Sequence, residues 1–241
     1  MKFDERIVMV KKSTLESILQ NEMSEFWALL DGEEKRIISD NFHIHNFKKN
    51  EIIFNEGEAP LQLMYLIKGK VKLYKKGNGD RNQIIRLVRP GQYFGYRAYF
   101  ANENYVTSGA AIESTQIGFL PMSLVEEHIR RNNDLAFFFI KALANNLGQS
   151  DIRTVNLTQK HIRGRLAESL MVLHDNYGYE PGSTTLNIYL SREDLANLSN
   201  MTTSNAIRTL TTFASEHLIT VDGRKITILN EEELRRISKY G

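Results

Sequence analysis

Residues 190–219, LSREDLANLSNMTTSNAIRTLTTFASEHLI, admit few folds. They read as two short helices separated by a tight break. Ser191 stands at an N-cap position, and Glu193 and Asp194 follow in the first turn, where the helix dipole favours negative charge. Leu195 and Leu198 give this helix an apolar edge. The segment SNMT at 199–202 interrupts the pattern, and Asn200 is one of the few non-glycine residues that tolerate a left-handed turn. Thr202 can cap a second helix, on which Ile207, Leu210 and Phe213 recur at three- and four-residue steps as an apolar face. The opposite face carries Thr203, Ser204, Asn205, Arg208 and Thr212. Such short polar side chains with one arginine can reach base edges and phosphates in a major groove.

Behind the second helix, residues 218–221 are strand-like, Asp222-Gly223 forms a two-residue turn, and 225–229 alternates as a returning strand. A helix-turn-helix followed by a β-hairpin is a winged helix. The plainer alternative is a small helical subdomain with a solvated polar face. Cap, break, second helix and wing in this order favour duplex DNA as the partner, since a helical repeat or protein-docking module needs no wing.

Charge qualifies that reading. The 241-residue chain has a net charge of only +2, and residues 160–241 hold ten Lys/Arg against ten Asp/Glu. No basic field attracts nucleic acid non-specifically, so DNA binding rests on the local placement of Arg192, Arg208, Arg224 and Lys225. The absence of cysteine excludes disulfides, cysteine-ligated clusters and thiol chemistry. No GxxxxGK[ST], HExxH or GxSxG motif is present, and neither an enzyme nor a cofactor is expected. The N-terminal MKFDERIVMVKK has too short an apolar run for a signal peptide, and no 18-residue apolar span occurs. The expectation is a cytoplasmic protein with no membrane partner.

The length suits two domains with cores of their own. Residues 13–40 look helical, with Ser24 as a cap, Asp31-Gly32 as a break and Trp27 as a core anchor. From 41 to about 120 the texture changes to short apolar runs at 44–47, 52–55, 63–67, 71–74, 83–88, 107–112 and 116–120, punctuated by glycine turns. That spacing predicts an antiparallel barrel or roll, with a hairpin turn at 77–80. Residues 122–131 read as a short helix. A long helix runs from caps at 132–134 to about 158, with Ala136, Ile140, Leu143 and Leu147 as a coiled-coil-like seam. Phe137, Phe138 and Phe139 suggest burial on the roll. A helix at 161–175, a loop at 176–182 and a strand at 186–189 lead into the helix-turn-helix. The predicted fold class is α+β: an N-terminal antiparallel, jelly-roll-like β-roll with leading helices over 1–132, a dimerisation helix over 133–158, and a C-terminal winged helix-turn-helix over 159–241.

Four stretches carry a resemblance to the CRP/FNR family of bacterial transcription regulators. YLIKGKV at 65–71 is similar to the family's roll hairpin Y-x-I-x-x-G-x-V. PGQYFG at 90–95 is similar to its x-G-D-x-F-G. RGRLAESL at 163–170 resembles the helix opening its DNA-binding domain, and LSREDLA at 190–196 resembles x-T/S-R-x-x-I/L-A/G. They stand in order and at the expected separations, and the resemblance covers nearly the whole chain, from about residue 25 to 229. The resemblance implies a homodimer that reads a pseudo-palindromic double-stranded DNA site with two recognition helices about one turn apart, with RNA polymerase as a possible further partner. By resemblance the recognition helix is 203–214. Thr203, Ser204 and Arg208 match base-contacting positions and Arg192 matches a phosphate-clamping one. Cyclic-AMP-responsive members tend to have Arg-Glu where this chain has Thr203-Ser204, so the target sequence is expected to differ. Arg208 is retained and suits a bidentate contact to guanine.

The sensor departs further. Family members that hold a cyclic nucleotide use a Gly-Glu pair for the ribose and an Arg-Ser or Arg-Thr pair for the phosphate. Here Gly95 is followed by Tyr96 and Arg97, and Thr107-Ser108 stands at the phosphate position without the arginine. Without the bidentate charge-assisted contact, cyclic AMP is not expected to bind. Two readings stay open: Tyr96, Arg97, Tyr99, Thr107 and Ser108 line a pocket for another, anionic ligand, or the pocket is closed by its own aromatic rings. His43 and His45 would share one strand face, where a metal or haem is the minor reading and a solvated face the plainer one. A further alternative is a cyclic-nucleotide-fold module that regulates a partner protein.

Overall fold

The computed structural model describes residues 12–77 and 82–240. The N-terminal stretch weighed as a signal peptide and most of the 77–80 turn lie outside them. Two compact units emerge. One comprises Met1–Lys75 with Ile85–Leu147, the other Lys76–Ile84 with Gly148–Gly241.

The first unit opens with α1 (Lys12–Ser17), a π-helical turn (Ile18–Glu22), α2 (Ser24–Ala28) and α3 (Gly32–Asn41). Ser24 makes no cap, because it already lies inside α2 behind Met23. Asp31, expected as a break, is the true cap. Its carboxylate accepts from the Glu34 N–H at 2.8 Å, and the Glu34 carboxylate accepts from the Asp31 N–H at 2.9 Å. Phe26, fully buried, is the aromatic anchor; Trp27 is half-buried beside it.

Eight strands follow: β1 (His43–Phe47), β2 (Ile52–Phe54), β3 (Gln62–Lys68), β4 (Val71–Lys76), β5 (Asn82–Val88), β6 (Tyr93–Phe94), β7 (Ser108–Ala111) and β8 (Thr115–Pro121), with the short helix α4 (Tyr96–Phe100) between β6 and β7. They form two four-stranded sheets, ordered β1-β8-β3-β6 and β2-β7-β4-β5. β6 was not foreseen, being only two residues long. Phe47, Phe54, Leu66, Val71, Val88 and Ile117 form a core within the roll. Ile44, Tyr65 and Leu120 instead join a second core with Leu19, Phe26 and Ile38 of the entering helices. Covered on both faces, β3 reads as a continuous apolar run rather than an alternating one. Gly69 turns β3 into β4 with φ +95°, and a Cβ there would lie 2.7 Å from the Ser114 carbonyl oxygen. The glycine of the YLIKGKV motif is therefore a backbone requirement.

After α5 (Met122–Ile129) comes the long α6 (Asn133–Gln159). Leu135 and Phe139 are buried in the helix-side core, with Phe138 and Leu143 packed against it. Successive helical residues point about 100° apart, so the three phenylalanines cannot all be buried. Phe137 is 68% exposed. The predicted seam is split for the same reason: Ile140 and Leu147 are 56% and 64% exposed, Ala136 is half-buried, and Leu143 turns inward. The exposed apolar side chains of α6 are Phe137, Ile140, Leu147, Ile152 and Val155.

The second unit contains α7 (Ile162–Tyr177), α8 (Arg192–Leu198), α9 (Thr203–Ser215), the hairpin β9 (Ile219–Asp222) and β10 (Lys225–Ile228), and α10 (Glu231–Tyr240). Leu166, Leu170, Leu195, Leu210, Phe213, Ile219, Ile226 and Leu234 are buried. The Arg153 guanidinium donates to the carbonyl oxygens of Ile84 and Leu198. The strand expected at 186–189 is not formed. Pairing with β10 falls earlier, where Leu186 N–H donates to Ile226 and Ile228 N–H to Thr184, both at 2.9 Å. Ile188 and Leu190 are buried outside any ladder, which reproduces the alternation without the strand. α10 was not expected, although Asn230 caps it through the Glu233 N–H at 3.0 Å and three glutamates fill its first turn.

Candidate nucleic-acid interface

α8 and α9 are both closed at their N-termini by the side chains that the sequence indicates. Ser191 Oγ accepts from the Asp194 N–H at 3.0 Å, and Thr202 Oγ1 accepts from the Asn205 N–H at 3.2 Å. Asn200 turns between them at φ +52°. Arg165 of α7 grips this turn, donating from Nε to the Ser199 carbonyl at 3.1 Å and from Nη2 to that of Asn200 at 3.2 Å. Ser199 also donates to Ser169 of α7 at 2.8 Å, fully buried. These supports come from a different helix and were not assigned in advance. Their only sequence trace is the RGRLAESL segment.

α9 presents a mixed face to solvent. Ala206, Leu210 and Phe213 are buried, while Thr202, Thr203, Ser204, Ile207, Arg208, Thr211 and Thr212 are exposed and Asn205 is half-buried. Ile207 was expected inward. The buried side of α9 is instead carried by Ala206 together with Leu210 and Phe213. Arg208 donates from Nη2 to Asn205 Oδ1 at 2.7 Å, one turn back. Thr211 and Thr212 donate to carbonyls four residues earlier, at 3.1 Å each, so their outward oxygens act as acceptors.

Arg192 is more committed than expected. It is half-buried, its Nη2 donates to the Gly223 carbonyl of the wing turn at 2.6 Å, and its Nη1 is buried without a hydrogen-bond partner among the described residues. Its placement ties α8 to the hairpin. Arg224 is exposed at the turn. Lys225 lies 5.5 Å over the Tyr189 ring and 3.7 Å from Glu180. Other basic side chains of this unit are engaged elsewhere: Lys160 with Glu168, Arg163 with Glu216, Arg235 with Asp175 and Arg236 with Glu233.

In the first unit the five roll candidates do not converge. Tyr96 is 3% exposed, its ring 5.3 Å from that of Phe139. Its hydroxyl bonds Asn146 at 3.2 Å and also Arg86. Burial raises its pKa, so the phenol stays neutral. Arg97 points outward and pairs with Glu103 at 2.6 Å. Tyr99 donates to Glu126, and that bond raises the Tyr99 pKa and lowers that of Glu126. Ser108 Oγ accepts from the Glu56 N–H at 2.9 Å, while Thr107 is half-buried without a role visible in the geometry. The two histidines of β1 do not share an environment: His43 is exposed, whereas His45 is buried with its ring 4.8 Å from Phe119. Among the described residues no group of three or more His, Asp or Glu is placed to hold a metal ion, and no helix is long and apolar enough to cross a membrane.

The family model for the cyclic nucleotide-binding domain matches residues 44–132, and that for the Crp-like helix-turn-helix domain matches residues 164–237. A CRP-like cAMP-activated global transcriptional regulator of Mycobacterium tuberculosis is 23% identical over 79% of this chain and 86% of its own length. A global nitrogen regulator of Nostoc is 22% identical over 80% of this chain and 88% of its own. The structure of FixK2 from Bradyrhizobium japonicum superposes with a TM-score of 0.73 at 20% identity, covering 80% of this chain and 96% of that one. With the two-sheet roll matched by one domain model and the capped helix-turn-helix and its wing by the other, in that order along the sequence, the chain belongs to the CRP/FNR family of DNA-binding transcriptional regulators.

Proposed function

We propose that this chain is a homodimeric, sequence-specific regulator that reads a pseudo-palindromic duplex with two copies of α9, in the cytoplasm, with RNA polymerase as a downstream partner, and that its roll does not answer to cyclic AMP. The observation that carries the DNA reading is the exposed flank of α9, where Thr203, Ser204 and Arg208 stand outward on a helix anchored by Thr202 and by Arg165. Thr203, Ser204 and Arg208 contact bases, while Arg192, Arg224 and Lys225 place the wing and approach phosphates. The dimer reading is supported by Phe137, Ile140 and Leu147, large apolar side chains exposed along one helix. Against cyclic AMP stands Tyr96, which occupies the position of the ribose-binding carboxylate and is buried with its hydroxyl already bonded.

Selection from a random duplex library with the full chain, followed by gel shifts at several salt concentrations, tests the DNA reading: an inverted repeat with half-sites about 10 base pairs apart is expected. Enrichment of no sequence refutes it. Calorimetry with cyclic AMP is expected to show no micromolar binding.

A further inference from the structure

Ile207 is the exception on α9. The other large apolar side chains of that helix, Leu210 and Phe213, are 3% and 0% exposed, but Ile207 is 48% exposed. It lies one turn after Thr203 and Ser204, one turn before Thr211, and next to Arg208, all exposed. It lies outside the buried side formed by Ala206, Leu210 and Phe213, and as a β-branched residue it is a poorer helix former than alanine. Every neighbour on that flank carries a hydroxyl or a guanidinium. An aliphatic group framed by hydrogen-bonding groups is a surface that discriminates by an apolar contact.

Resting on the DNA reading above, we infer that Ile207 is a specificity-determining residue that packs against the 5-methyl group of a thymine in each half-site. Thymine alone among the four bases presents a methyl group in the major groove. A γ- or δ-methyl of isoleucine meets it without a hydrogen bond, and cytosine at the same place offers only a C5–H, which leaves that contact unmade.

Replacing thymine by deoxyuridine removes that methyl and changes no hydrogen-bonding group, so the test uses duplexes selected by the full-length wild-type protein. One thymine per half-site is expected at which deoxyuridine weakens wild-type binding about four-fold, the equivalent of one buried methyl group. Ile207→Ala should bind thymine and deoxyuridine duplexes equally, and Ile207→Leu should keep the preference. Ile207 is half exposed, so both variants should retain the wild-type circular dichroism and melting curve. Equal binding of thymine and deoxyuridine duplexes by the wild type at every position, or a preference that survives in Ile207→Ala, overturns the inference while sequence-specific binding stands. Failure of the wild type to select any duplex overturns the DNA reading and the inference together.

Discussion

Arg208 and Arg192, which the resemblance assigns to bases and to phosphate respectively, are also held differently in the structure. Arg208 is exposed and held only by Asn205 one turn away. Arg192 is half-buried and bonded to the wing. Arg208→Ala should therefore flatten the difference between specific and random duplexes by about 1–3 kcal/mol, and Arg192→Ala should weaken binding to all duplexes alike while loosening the hairpin. Competition gel shifts measure both, and wild-type behaviour in both variants would place the DNA surface elsewhere. Tyr96 was legible as the residue in place of a carboxylate, but which core it joined depended on packing, and it lies in the helix-side one. It sits between Phe100 and Phe139 with its hydroxyl bonded. Tyr96→Ala should destabilise the first unit by about 3–5 kcal/mol, a figure measured for aromatic truncation in cores. Trp27, the single tryptophan, packs against the same core and reports that loss in urea denaturation by fluorescence.

At the level of elements, α6 shows what a heptad pattern can and cannot say. Periodicity placed apolar residues on one side, but the roll takes Leu135, Phe139 and Leu143 while Ile140 and Leu147 remain outside. Where two partners compete for one helix, spacing alone does not assign the faces. On the proposed dimer, Ile140→Glu and Leu147→Glu should each leave a monomer in light scattering and weaken binding to the full inverted repeat while leaving the melting of the roll unchanged. α10 offers a pH test. Its Arg235 bonds Asp175 of α7 at 2.7 Å and Glu231 at 2.8 Å. The Arg235 bond, helped by His174, lowers the pKa of Asp175 below its ordinary 3.8. Because the native value lies below the unfolded one, the bond stabilises above pH 3.8 and is lost as pH falls through the native value. Asp175→Asn should cost about 0.5 kcal/mol at neutral pH, small because the pair is solvent-exposed. The cost should disappear in acid once the wild-type carboxylate is protonated.

For the molecule as a whole, charge limits how DNA is held. Of the ten basic residues from 160 onward, four pair closely with carboxylates as described above, Arg165 is spent on backbone carbonyls, and Lys239 lies 5.1 Å over the Tyr240 ring at the far end of α10. Arg192, Arg208, Arg224 and Lys225 remain as candidates, so a dimer neutralises at most about eight phosphates. The slope of log affinity against log salt should be no steeper than about −7. A steeper slope would reveal a basic surface that these four residues do not supply. The architecture itself was readable in one dimension because caps, left-handed turns and strand alternation act over three or four residues: Ser191, Thr202, Asn200 and Gly69 each do in space what their chemistry dictates locally. Side-chain commitments over longer range were not readable. That Arg165 holds the α8–α9 turn, and that Tyr96 joins the helix-side core against Phe139 and Asn146 of α6, depend on neighbours 30 or more residues away, and the sequence does not say that Ile207 faces outward while Ala206 faces inward. Close packing has one solution per site, and a linear pattern does not contain the partner it must fit.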